Sequence, residues 1–101
     1  MSRTYAVTWE EPGVPRRAGK LELRRSVLSL EGSNDGGGSS MVVVPYDEVV
    51  GLQIASSAQR IGGRPTLVLE RLGQGILRLA GIASPGIVSE IAEELSALRR
   101  A

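Results

Sequence analysis

Apolar and polar positions alternate along most of this chain, and the period changes only near its C-terminal end. Residues 3–11 (RTYAVTWEE) set Tyr5, Val7 and Trp9 against Ala6 and Thr8, the period of two that marks a strand. The stretch 12–19 (PGVPRRAG) holds two prolines and two glycines and predicts a loop. Residues 20–24 (KLELR) alternate strictly, with Leu21 and Leu23 inward and Lys20, Glu22 and Arg24 outward. Residues 26–32 (SVLSLEG) alternate again, with Leu28 and Leu30 inward and Ser29 and Glu31 outward, and the intervening Arg25-Ser26 predicts a tight hairpin. The serine- and glycine-rich run 33–40 (SNDGGGSS) reads as a hairpin loop. It lacks the Lys-Ser/Thr pair and the following helix that a phosphate-binding loop requires.

The segment 41–54 (MVVVPYDEVVGLQI) holds two strand-like runs around a Pro-Tyr-Asp-Glu break. Val42–Val44 is a short β-branched run that reads as a buried strand, and Pro45 ends it because proline has no N–H for a ladder. Residues 49–56 resume with Val50, Leu52 and Ile54 expected on one face, and Gly51 predicts a bend or a close approach. The break is read as a corner, where the chain leaves one sheet for another. Residues 57–63 (SAQRIGG) predict a loop. Residues 64–72 predict a strand with Leu67 and Leu69 inward, 73–75 (GQG) a turn, and 76–81 a strand with Leu77 and Leu79 inward and Arg78 outward. Short turns between strands favour antiparallel pairing. In 84–100 the apolar positions Ile87, Ile91, Leu95 and Leu98 fall at helical spacing, widened by Val88 and Ala92. Ser84 is the expected N-cap, with Pro85 at the first helical position. Glu90, Glu93 and Glu94 precede Arg99 and Arg100, the charge order that suits the helix dipole.

Seven strands in series and one terminal helix predict a mainly β domain: a partly open barrel with an amphipathic helix at its open end. The segments GKLELRRSVLSLEG, VVVPYDEVVGLQI and RPTLVLERLGQGILRLAG, followed by the helix, resemble the pleckstrin-homology-like superfamily, in particular its small bacterial members. The resemblance covers nearly the whole chain. It implies a split barrel of about seven antiparallel strands in two orthogonal sheets, capped by the helix. Pleckstrin-homology domains proper usually carry a Trp in that helix. Here the single Trp is Trp9, in the first strand, so the resemblance is to the broader superfold, which does not fix a function.

Composition narrows the chemistry. The 101 residues fit one domain, 1–101, and carry 12 basic and 11 acidic side chains, a net charge of +1 that gives no general attraction to nucleic acid or membranes. No Cys and no His are present, which removes disulfides, thiolate chemistry, the commonest metal ligand and the commonest general base. The start lacks the apolar core of a signal peptide, and no apolar run reaches the ~20 residues of a membrane span, so a cytoplasmic location is expected. A nucleophile would have to be Ser or Thr activated by Lys20 or a carboxylate, and Asp47 beside Glu48 is a weak pair, so no catalytic residues, cofactor or metal are expected. Asp35, Asp47 and Glu48 lack the spacing of a calcium loop, and Asp47 is expected to cap a turn. With only Tyr5, Trp9 and Tyr46 as aromatics, a stacking platform for single-stranded nucleic acid is missing. Tyr5 and Trp9 are expected in the core with their polar tips at its rim. Arg60-Ile-Gly-Gly-Arg64 reads as a turn before it reads as an anion nest.

The expectation is a binding or interaction module whose partner is an unidentified protein or further copies of itself, as the superfold can bind peptides at a sheet edge or beside the helix. The alternative is an anionic lipid head group at the loop between strands one and two. Lipid-binding members place basic residues there, and this chain offers Arg16, Arg17, Lys20 and Arg24 as candidate ligand-binding residues. Glu22 shares the face of Lys20 and Arg24, and Glu10 and Glu11 stand where the family pattern wants a basic side chain.

Overall fold

The computed structural model describes residues 3–33, 38–82, 84 and 86–100. Seven antiparallel strands form a curled half-barrel, followed by one α-helix. They are β1 (Arg3–Glu11), β2 (Val14–Leu23), β3 (Val27–Ser33), β4 (Ser39–Pro45), β5 (Val49–Ile54), β6 (Thr66–Arg71) and β7 (Gly75–Gly81), and α1 spans Ile87–Arg100. Their order across the sheet is β4-β3-β2-β1-β7-β6-β5. The two layers expected from the sequence are thus halves of one hydrogen-bonded sheet. β1 belongs to both halves. It pairs with β2 from Arg3 opposite Leu23, and with β7 from Val7 opposite Gly81.

Alternation decides what is buried. Leu21, Leu23, Leu28, Leu30, Leu67, Leu69, Leu77 and Leu79 all face the interior with Val7 and Trp9, and Val88, Ile91 and Leu95 of α1 close over them. Each fully buried Leu or Val contributes about 1.5–3 kcal/mol, so the ladder of leucines holds the fold. Ser84 Oγ accepts the Gly86 N–H at 3.3 Å, the capping contact expected of it, while Pro85 lies outside the described residues. Three strand assignments differ from expectation. The loop assigned to 12–19 is only the turn at Pro12-Gly13, with Gly13 at φ +74. β2 tolerates Pro15 because β3 pairs with it only from Ala18 onward and a register shift near Glu10 leaves Pro15 without a ladder partner. In β5 a bulge between Val49 and Gly51 turns Val50 outward, 58% exposed, and leaves Val49 buried. Leu52 and Ile54 keep the expected shared face opposite Leu69 and Leu67, Leu52 packed on the core and Ile54 51% exposed at the strand end. Ser29, expected to be exposed, is buried on the outer face, where its cross-strand partners are Glu22 and Val43.

β6 is buried on both faces. Leu67 and Leu69 point into the barrel, and Thr66 and Val68 are covered from outside. The cover is the 57–63 segment, two single 3-10 turns. Thr66 Oγ1 accepts the Ile61 N–H at 2.9 Å and donates to the Arg64 carbonyl at 2.8 Å, and Arg78 donates to the Gln59 carbonyl. The Arg60–Arg64 run is therefore a turn, with Gly62 and Gly63 at positive φ and Ile61 buried.

The strongest local constraint is a pair of glycines. Gly19 and Gly32 are direct cross-strand neighbours on β2 and β3. A Cβ on Gly19 would collide with the Glu31 carbonyl and the Gly32 backbone. One on Gly32 would collide with the Ala18 carbonyl and stand 2.9 Å from Trp9 Cη2. Only glycine fits at this crossing, and the space left by the missing side chain at Gly32 holds the edge of the indole. At the opposite end of β2 and β3 the corner is tied by Tyr46, in a single 3-10 turn, Tyr46–Glu48. Its N–H donates to the Ser26 carbonyl and its hydroxyl to the Arg24 carbonyl. Asp47 is exposed and caps nothing: no side-chain hydrogen bond closes that turn.

Gly19→Ala should cost about 3 kcal/mol or more, because two backbones must separate, and urea unfolding reads this directly. Burial pushes the Tyr46 hydroxyl above its ordinary pKa, and Tyr5 likewise. The folded state therefore holds these protons more tightly, and stability present below about pH 10 falls as pH rises through the folded-state values. Tyr46→Phe should lose about 1 kcal/mol at neutral pH and show a shallower alkaline decline, measured by urea midpoints across pH.

Candidate functional site

An open sheet has two edges, and here they are β4 and β5. Edge strands expose unpaired N–H and C=O groups, which proteins normally shield with charges, prolines or bulges. β5 is shielded twice. Its bulge breaks the ladder, and Arg99 of α1 donates to the Val49 carbonyl at 2.9 Å. β4 is different. It pairs with β3 through seven consecutive residues without a register shift, Ser39 opposite Ser33 to Pro45 opposite Val27. It carries no charged side chain, and only its last residue is a proline. Among the described residues no neighbour on its other side forms a ladder with it.

The side chains of β4 divide by face. Val42 and Val44 point inward, Val44 fully buried, while Met41 is 59% and Val43 50% exposed. Seven large apolar side chains are exposed among the described residues, and four of them sit on the two edges. Their clustering marks the edges and not the sheet faces as the sticky part of the surface. Sequence reasoning placed β4 as a buried strand because its Val-Val-Val run masks the alternation. Strand order alone reveals that it is an edge.

The cations singled out as candidate ligands do not converge. Arg16 binds Glu10 at 2.8 Å, Arg17 lies 3.8 Å from Glu11, and Arg24 binds Glu22 at 3.0 Å. Lys20 stands exposed on the outer face, next to Glu31 across the ladder. Glu10 also receives Arg78 from β7. The acids at the end of β1 thus neutralise the basic residues at the start of β2. Glu11 goes further: it meets Arg71, whose side chain is 3% exposed, at 2.9 Å. Arg71 also donates to the Gly75 and Gln74 carbonyls, so its charge is held by one carboxylate and two backbone oxygens. This buried arginine was not foreseen. Its alternation with Leu67 and Leu69 was the available signal.

Beside the helix, Arg25 and Leu98 line two shallow grooves, one shared with Arg3, Arg24 and Glu94, the other with Tyr46 and Arg99. Arg3 is engaged by Glu90 and Glu94, and Tyr5 donates weakly to Glu90 at 3.4 Å. The Tyr5 tip thus lies at the rim as expected. The Trp9 N–H does not: it is buried, with no hydrogen-bond partner among the described residues. Asp35, weighed with Asp47 and Glu48 as a metal ligand, lies outside the described residues. No helix among the described residues is long and apolar enough to cross a membrane.

No family model matches this sequence, and no curated protein does. Among solved structures, the C-terminal domain of an unknown protein from Leishmania infantum superposes with a TM-score of 0.76, covering 98% of this chain and 83% of that chain at 12% identity. At that identity the likeness is one of fold.

Glu11→Ala should leave the Arg71 guanidinium buried without its carboxylate and cost about 3 kcal/mol, read from urea unfolding. Arg16→Ala, at an exposed pair, should cost under about 1 kcal/mol.

Proposed function

We propose that this chain is a pleckstrin-homology-like half-barrel that works without catalysis, as a protein-interaction module whose docking element is the open edge of β4. The observation that carries the proposal is the combination at β4: seven regularly paired, uncharged residues with Met41 and Val43 exposed. An extended segment laid along such an edge gains main-chain hydrogen bonds, and alternate side chains then supply selectivity. The order of seven strands, the corner at Pro45–Glu48 and the terminal helix support the superfold assignment.

The lipid alternative draws less support. Three of its four cations, Arg16, Arg17 and Arg24, already face carboxylates, and an anionic head group would have to displace them. Lys20 alone offers little, because a single exposed charge attracts an anionic surface only weakly in salt.

A display library of extended peptides, selected on the wild-type protein, tests the reading. Bound peptides should protect β4 amides from hydrogen exchange, and Met41→Lys/Val43→Lys should lower their affinity about tenfold or more. Peptides that bind equally well to the double variant would overturn the docking element. Saturable binding to vesicles containing anionic lipid, lost on Lys20→Ala, would favour the head-group reading instead.

A further inference from the structure

We infer that the occupant of the β4 edge is a second copy of this chain, paired antiparallel about a two-fold axis at Val42. The inference rests on the proposed use of β4 as a docking edge and names its partner. A two-fold interface needs a patch that complements itself. The axis, set normal to the sheet, keeps outer faces together, so residues pair with a constant sum of positions. Val42 is the midpoint of Ser39–Pro45. Centred there, Val42 meets Val42 of the second copy, Met41 meets Val43, Ser40 meets Val44, and Ser39 meets Pro45.

This register uses the whole strand. It places the two exposed apolar side chains of each copy, Met41 and Val43, against those of the other. No charged residue lies on β4, so no like charges face each other across the axis, which would destabilise a strand pair. Pro45, which has no N–H to give, falls at the end of the new ladder where the loss is smallest. A register one residue off would turn inner faces outward and is excluded by the pleat. Moving the axis to residue 41 sets Met41 against itself and Val43 against Ser39, moving it to residue 43 sets Val43 against itself and Met41 against Pro45, and either shift shortens the ladder. β5 cannot pair this way, because its bulge interrupts the edge and Arg99 occupies the Val49 carbonyl. A single strand pair falls short of the roughly 1,600 Å² of a standard stable interface, so the association is reversible and concentration-dependent.

Sedimentation velocity across a dilution series of the full chain, with hydrogen exchange on β4 amides, tests the inference. The wild type should shift from monomer to dimer as concentration rises, with β4 amides protected in step. Met41→Lys and Val43→Glu, each alone, should move the transition about tenfold or more to higher concentration. An equimolar mixture of the two variants should recover the dimer, because this register sets the introduced lysine opposite the introduced glutamate. Val50→Lys on β5 should leave association unchanged, and Trp9 fluorescence verifies that each variant is folded. The inference is overturned by a wild type that stays monomeric to its solubility limit, by single variants that associate as the wild type does, or by a mixture that fails to recover. A monomeric chain that still takes extended peptides at β4 loses the second copy and keeps the docking edge. A chain that takes neither loses both.

Discussion

Two backbones approach each other at Gly19 and Gly32 more closely than any side chain would allow. The packing of β2 against β3, and of Trp9 against both, depends on that approach. Because neither position carries a side chain, the Trp9 ring can lie over Gly32, in one cluster with the leucines on β2, β3, β6 and β7. The glycines carry no contact energy of their own. They set the shape in which the buried area of the leucines is realised.

Charge in this molecule is arranged mostly to hold elements in place. Glu10 and Glu11, at the end of β1, collect Arg16, Arg17, Arg71 and Arg78 from three other strands. Arg3 reaches from β1 to Glu90 and Glu94 on α1, and Arg99 ties the same helix to β5. Exposed pairs of this sort contribute little each, but they leave few cations unengaged near the strand β1–β2 turn. A surface with its charges occupied in this way directs attention to backbone hydrogen bonding and apolar contact at the edge.

Much of the architecture was legible in alternation alone. Leu21, Leu23, Leu28, Leu30, Leu67, Leu69, Leu77 and Leu79 were placed inward and are buried. The corner at Pro45–Glu48 and the terminal helix were placed as well. Misreadings arose where local signals competed with tertiary context. Two prolines and two glycines in 12–19 spelled a loop, yet β2 runs through most of it, because a hairpin arm beyond the reach of β3 does not need every N–H. The bulge beside Gly51 turned Val50 away from the face that Leu52 and Ile54 share, which periodicity cannot anticipate. The candidate interaction site was not legible: Met41 and Val43 look like core residues until the order of strands shows that, among the described residues, no strand pairs beyond β4. The basic residues drew notice because charge is conspicuous in a sequence, whereas an unpaired edge leaves no mark on it.

The place of β1 at the middle of the sheet also says something about how the chain acquires its structure. The pairing of Val7 with Gly81 joins positions separated by most of the molecule. The β1–β4 meander can form from neighbours in sequence, and so can β5–β7, but the seam between them closes only when both are present. Long-range closure of this kind slows folding, since loop entropy must be met before the contacts reward it. β7 is the last strand in the chain, so until it is made the second side of β1 lacks the strand that pairs with it in the fold. The alternation of Val7, Thr8 and Trp9 is thus an interior pattern that must spend part of the protein's synthesis as an edge.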